Sequence, residues 1–562
     1  MTLLEESPPD PPGHRTNHSA SVRLSGGWKE LGETVMQAAA AALAEQNSDT
    51  GEPPAVVAFF PLPDEPADAA PPSPRALHRA VPADAIPMVE LTLPTVEDNI
   101  KEKRHMQHTP SAIASEEASD AAKVDMNELL EDTDFSSVGT VASKEFSEGM
   151  ADEIWEDVPM GPTDAILGIA AAFKASTDER KVNVCVGAYR DEHGKPWVLP
   201  SVKQAEKIMW ENATEVKEYL PIEGDAEFVR LAMQFAYGPE MPMDHLAAVQ
   251  TLSGTGACRL GGEFLAQFWP NHPIYLPDPT WGNHINIFQN CGLDVRRYRY
   301  FSRATNGLDL RGMMRDLHRA PDQSIILLHA CAHNPTGCDP TIEEWKQIVS
   351  ICSAKGHVVF FDSAYQGFAS GDPEADAQPF RYAVAQHIPI LLAQSFAKNF
   401  GLYGERCGTL SVVCGDAAQK VRIMSELRCL IRPMYSSPPR HGSSIVKTIL
   451  GDEALKVQYM QECDKMAQRI ASMRSALVQT LEEAGSTHDW SHVTQQIGMF
   501  AFLGLTAPQC ERMTEEFAIY LTTNGRISVA GLNPGNVAYV AKAIHAVSDG
   551  QPLGGELRTG GA

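Results

Sequence analysis

Short apolar runs recur between residues 150 and 550, each closing in a polar or Gly/Pro-containing segment: Pro273-Ile274-Tyr275-Leu276, Ser324 to Leu328, His357 to Phe361 and Ile388 to Leu392. Between them lie stretches of helical character such as Thr341 to Ala354, with Glu343, Glu344 and Trp345 in its first turn. Alternation of apolar runs with helices predicts an α/β fold, a mostly parallel sheet sandwiched by helices. Ligands of such sheets gather at the carboxyl ends of the strands. Each run here is followed by residues that can do chemistry. Pro279-Thr280-Trp281 follows the first and His329 to Gly337 the second, while Asp362 and Tyr365 follow the third and Ser395 and Lys398 the fourth.

A second pattern precedes these strands. Ser253-Gly254-Thr255-Gly256 leads into apolar or small residues at Ala257, Leu260, Gly261, Phe264, Leu265 and Phe268, the spacing of a helix with one buried face. A Gly/Ser/Thr loop at a helix start presents free backbone N–H groups and the positive dipole end to an anion, so the segment predicts a phosphate cup or, more plainly, an ordinary helix cap. It is neither a dinucleotide fingerprint, since Arg259 stands where the third glycine is required, nor a Walker loop, since the Gly-Lys-Ser/Thr end is missing.

Lys398 lies between an apolar run and a Gly-containing loop, with Arg406 eight residues on. A lysine in a partly desolvated crevice beside a cation has a lowered pKa and can attack a carbonyl cofactor. Taken alone, such a lysine is ordinarily a surface charge. Asp362 changes that balance, because a carboxylate at the end of a buried strand needs a cation, and the protonated ring nitrogen of pyridoxal phosphate would be one. His329 and His333 stand four apart, but they leave a strand for an Asn-Pro-Thr-Gly turn rather than share a helical face, so no metal site is expected.

Composition divides the 562-residue chain. Residues 1–150 hold 26 Asp/Glu against 10 Lys/Arg, which leaves −10 of the chain's net −26 for the remainder. Proline runs such as Pro8-Pro9-Asp10-Pro11-Pro12 work against regular structure, so this extension is expected to be largely disordered, with a transient helix conceivable over Trp28 to Gln46. Seven acids against three bases in the first fifty residues, and no apolar stretch after Met1, make a poor targeting signal. No run approaches eighteen apolar residues. The 11 cysteines lack paired CxxC spacing, as expected for reduced intracellular thiols.

Together these motifs resemble the aspartate aminotransferases of the class I pyridoxal-phosphate family, from about Trp155 to Val547. The resemblance is carried by Val186-Gly187-Ala188-Tyr189-Arg190, Glu218-Tyr219-Leu220-Pro221-Ile222, the Ser253 loop, Pro279 to His284, His329 to Gly337, Asp362 to Gly371 and Gly525-Arg526-Ile527-Ser528. The wording Ala397-Lys398-Asn399 and Arg432-Pro433-Met434-Tyr435 is similar to the mitochondrial type, which implies the matrix, with the cytoplasm as alternative. The resemblance implies the fold type I transferase architecture, with small-domain parts at 151–197 and 466–548, a large cofactor-binding domain at 198–465 and a disordered tail at 549–562.

It also implies roles. Lys398 would hold pyridoxal 5′-phosphate and then shuttle the substrate proton. Asp362 would keep the pyridine nitrogen protonated, Tyr365 and Asn334 would bond the ring oxygen, and Trp281 would stack on the ring. Ser253, Gly254, Thr255, Ser395 and Arg406 would hold the phosphate, with Tyr219 reaching from a second subunit. Arg526 with Gly187 would bind the substrate α-carboxylate, next to Trp281 and Asn334, and Arg432 of the partner the distal one. The implied enzyme is a homodimer acting on dicarboxylic amino and oxo acids, with no nucleic-acid or membrane partner. The departures are Ser437, where the family usually has asparagine, and Cys185, where it has glycine. An aromatic amino acid aminotransferase is the nearest alternative, and a non-catalytic interaction protein the alternative from another class.

Overall fold

A computed structural model describes residues 155–161, 165–212 and 216–548. The chain divides into two units, Met1–Val158 and Pro159–Ala562, and the fold below is that of the second. The expectations for 1–150 and 549–562 lie outside the described residues.

Seven strands form the central sheet: β1 Leu246–Leu252, β2 Ile274–Asp278, β3 Val295–Arg299, β4 Ile325–His329, β5 Val358–Ser363, β6 Ile390–Ser395 and β7 Cys407–Val413, in the order β1-β7-β6-β5-β4-β2-β3. Pairings from β6 across to β3 are parallel, and β7 is antiparallel to both of its neighbours. The sheet is therefore mostly parallel, as the sequence predicts. The apolar runs are continuous because both faces are covered. In β4, Ile326 and Leu328 join one buried cluster while Ile325 and Leu327 join the other, and β5 repeats this with Val359 and Phe361 against Val358 and Phe360.

Register then sets the chemistry. His329 pairs with Asp362, Ser363 with Gln394, and Gly408 with Ser395, so three strand ends and the start of the antiparallel β7 meet at one edge. Helix α1, Ser253–Phe268, leaves β1 at the same edge. It packs close because it has glycine where a side chain would collide: a Cβ on Gly261 would stand 2.5 Å from the Phe360 ring. Its inner face is as expected except at Phe268, which is exposed and instead meets Phe264 at 5.0 Å between ring centroids. Beyond the sheet, the N- and C-terminal parts combine: Val182–Asn183 pairs with Ile519–Tyr520, Phe500–Phe502 pairs with Arg526–Ser528, and the long helix Glu453–Glu483 packs on Val537–Ser548.

Candidate active site

A cavity of about 430 Å³ opens at the carboxyl edge of the sheet. Twelve of the residues singled out in the sequence line it: Gly187, Ser253, Gly254, Thr255, Trp281, Asn334, Asp362, Tyr365, Ser395, Lys398, Arg406 and Arg526. Tyr219 and Arg432 are exposed and lie outside its wall.

Asp362 is at the floor. Burial alone would raise its pKa, but His284 donates Nε2–H to its Oδ2 at 2.9 Å and brings the carboxyl below its ordinary value, so the group stays charged. The partner of that histidine is fixed by a chain of bonds. The Asn334 backbone N–H donates to His329 Nδ1 at 3.2 Å, which leaves the proton of this ring on Nε2, facing Thr280 Oγ1 at 3.2 Å. Thr280 then donates to His284 Nδ1 at 2.9 Å, and His284 carries its proton toward Asp362. Burial lowers His329 to about 3, so it stays neutral and its Nε2–H is the donor to Thr280.

Lys398 stands opposite. Its Nζ donates to Gly187 O at 2.8 Å and lies 5.1 Å from the centre of the Tyr403 ring. Burial, with Arg406 and Arg526 nearby, lowers its pKa to about 8, so about a tenth of the amine is unprotonated at pH 7, far more than for an ordinary lysine. Tyr365 is buried, and burial raises the pKa of its phenol, which keeps it a hydrogen-bond donor.

Two cationic features flank these groups. At one end, the first turn of α1 meets β6: Ser253 Oγ and Ser395 Oγ are 2.9 Å apart, and a Cβ on Gly254 would stand 3.2 Å from that of Ser395. Ser253 and Arg406 adopt φ of +61° and +51°, conformations that cost about 1–3 kcal/mol each for L residues and often mark functional sites. Free amides at a sixteen-residue helix start, two hydroxyls and the exposed Arg406 make a cup for a phosphate. At the other end Arg526 is buried over the Phe500 ring, 4.2 Å from its centre. Its Nη2 donates to Cys185 O at 3.0 Å and its Nη1 to Asn334 Oδ1 at 3.3 Å, while its buried Nε has no hydrogen-bond partner. A guanidinium with an unmet donor on the cavity wall fits an incoming carboxylate. A phosphate cup, a charged acid and a nucleophilic amine in one 430 Å³ space fit a phosphorylated aromatic carbonyl such as pyridoxal phosphate.

Sequence reasoning gave no role to His284, Thr280, His329, Tyr403 or Phe500. His284 stood in a quoted motif, but nothing local tells that a residue at the start of helix α2, Asn283–Asn290, reaches across to β5. The Cys185 carbonyl was missed because attention fell on its side chain, whereas Arg526 binds its backbone.

Residues 179–544 match the family model described as aminotransferase class I and II, and the chain belongs to that family. It is 51% identical over 397 residues to a mitochondrial aspartate aminotransferase of Dictyostelium discoideum, covering 70% of this chain and 93% of the relative. It is 50% identical over 396 residues to a cytoplasmic aspartate aminotransferase of Oryza sativa subsp. japonica, covering 70% and 97%. Among solved structures, a mitochondrial aspartate aminotransferase from Trypanosoma brucei superposes with a TM-score of 0.66 at 44% identity, over 68% of this chain and all of that one. An aromatic-amino-acid aminotransferase from Burkholderia pseudomallei, described as covalently bound to pyridoxal phosphate, superposes with a TM-score of 0.68 at 40% identity, over 70% and 99%.

Proposed function

We propose that the chain is a pyridoxal 5′-phosphate-dependent aspartate aminotransferase, which reversibly moves the amino group of L-aspartate to 2-oxoglutarate and yields oxaloacetate and L-glutamate. The observation that carries this reading is the convergence of Lys398, Asp362 and Arg526 on one cavity, each at a different wall and each with its charge state set by its surroundings. Bound there, the cofactor supplies an electron sink for the pair left when the substrate α-proton departs.

The residues of the chain do the rest. Lys398 holds the cofactor and, with a pKa of about 8, accepts and returns the substrate proton near neutrality. Asp362, kept charged by His284, holds a ring nitrogen in its protonated form. Tyr365 and Asn334 bond the ring oxygen, Trp281 covers the ring, and the Ser253-Gly254-Thr255 turn with Ser395 and Arg406 anchors the phosphate. Arg526 takes the α-carboxylate beside Gly187. The distal carboxylate needs a second cation. Arg432, at the exposed end of a helix and bonded to Ser436 Oγ at 2.5 Å, serves the partner's cavity in a homodimer, as Tyr219 does for the partner's phosphate. Arg432 favours dicarboxylates over aromatic substrates.

A matrix location belongs to the same reading, supported by the mitochondrial relative. No helix among the described residues is long and apolar enough to cross a membrane. Cell fractionation distinguishes the matrix from the cytoplasm, where the rice relative is placed by name.

The direct test is the visible spectrum of the purified protein before and after L-aspartate, with L-tyrosine beside it. Bleaching of the yellow band by aspartate, restored by 2-oxoglutarate, is expected. A faster response to tyrosine would move the assignment to the aromatic enzyme, and a colourless protein that takes up no cofactor would overturn it.

A further inference from the structure

On the far side of the loop that carries Gly187 lies a second cavity, about 670 Å³ and so larger than the catalytic one. Arg180, Lys181 and Arg190 contribute three cations to its wall, against one acid, Glu179. This is an unusual balance in a chain of net charge −26. Two of the three have partners: Arg180 is paired with Asp178 at 2.7 Å, and Lys181 caps the Phe173 and Ser176 carbonyls at 3.2 and 2.6 Å. Arg190 is half-buried, and among the described residues its guanidinium has no hydrogen-bond or ion-pair partner. A partly desolvated guanidinium without an anion is a costly arrangement, and a cleft lined by one sign of charge concentrates counter-ions.

The two cavities share a wall. Val186 and Ala188 line both, and Gly187 between them accepts the hydrogen bond of Lys398. One residue further, the Tyr189 N–H donates at 2.8 Å to the hydroxyl of Tyr403, whose ring lies beside Lys398 Nζ. Arg190 is next in the chain. Whatever draws its side chain into the second cavity therefore pulls on the backbone that positions the catalytic amine from two directions.

We propose that this second cavity is a regulatory site for a small polyvalent anion, a tricarboxylate or a polyphosphate, and that its occupancy reaches Lys398 through residues 186–190. The anion needs only to bridge Arg190 and the remaining donor capacity of Lys181 and Arg180. Its binding does not depend on the reaction assigned to the neighbouring pocket.

The test is calorimetric titration of the full-length, cofactor-loaded protein with citrate and, separately, with inorganic pyrophosphate. At least one is expected to bind, and whichever binds tighter identifies the class. Arg190→Met should weaken that binding roughly tenfold or more, as loss of a charge-assisted contact does, while Arg190→Lys retains most of it and Arg526→Lys leaves it intact. A retained yellow band shows that each variant is folded. Binding should also change the KM for aspartate by roughly fivefold or more. Failure of both anions to bind, binding indifferent to Arg190→Met, or binding lost in Arg526→Lys would overturn the site. Binding without change in KM would overturn its coupling to Lys398.

Discussion

At the floor of the catalytic cavity the polar groups are held by one another. Asp362 is held by His284, His284 by Thr280, Thr280 by His329, and His329 by the backbone of Asn334, all within strand ends or the turns that leave them. At the rim the reverse holds. Tyr219 is 88% exposed, Arg432 is exposed on the last turn of its helix, and Arg406 reaches the cup from a left-handed loop residue. The floor groups are bonded to one another within one chain, whereas the rim includes a cation, Arg432, that lies outside the wall of its own cavity. In the reading proposed above, a site divided this way would hold the cofactor ring within one chain and leave recognition of the second carboxylate to another copy.

The largest effect should come from the group that connects floor and rim. Lys398→Ala removes both the cofactor tether and the proton carrier, and glutamate formation should fall by on the order of 10⁴-fold. Cofactor capture by the apoprotein gives the matching pH test. Because the lowered pKa of about 8 belongs to the free amine, capture should quicken as pH rises toward 8 and level off above it. A capture rate still climbing beyond pH 10 would mean that the lysine is not desolvated in solution.

Next comes the division itself. Arg526→Ala and Arg432→Ala each delete one charge-assisted carboxylate contact worth about 1.5–3 kcal/mol, so kcat/KM for aspartate should fall roughly 10- to 150-fold in each. The two should differ with L-tyrosine, which has an α-carboxylate but no distal one: Arg526→Ala loses activity and Arg432→Ala does not. Mixing Lys398→Ala and Arg432→Ala chains under conditions that exchange subunits should raise activity on aspartate above that of either variant alone, because one cavity of the hybrid then has both intact groups. No recovery on mixing would place Arg432 outside any shared site.

The floor was partly legible in the sequence, and the reason is physical. A strand buried on both faces reads as an unbroken apolar run, so the residue at which the run stops marks the sheet edge, and Asp362 and Ser395 stand at such stops. Lys398 follows within three residues. What ties the floor together was not legible. His284 bonds Asp362 across 78 residues and Arg526 stacks on Phe500 through a strand pairing of the C-terminal part, and neither relation has a local period. Phe268 misled for the opposite reason: its helical spacing continues the buried face, but its side chain is exposed against Phe264. The split between floor and rim came from family resemblance alone, since an exposed arginine has no pattern that says whose cavity it serves.

The finest test of the comparison is Thr280→Val, which keeps the shape of the side chain and removes the one hydroxyl linking His329 to His284. Each hydrogen bond lost is worth about 0.5–1.5 kcal/mol, so the turnover rate should fall only a few-fold to about tenfold. The informative readout is a pH profile. Without the threonine hydroxyl, His284 loses the partner that holds its ring against Asp362, so the carboxyl is held charged less firmly and its pKa moves back up. The acid limb of kcat/KM should therefore move to higher pH in Thr280→Val, while KM for aspartate, set by the arginines, stays within about twofold. A variant that loses affinity for aspartate and keeps the wild-type acid limb would show that Thr280 shapes the wall of the cavity and does not order the protons beneath it.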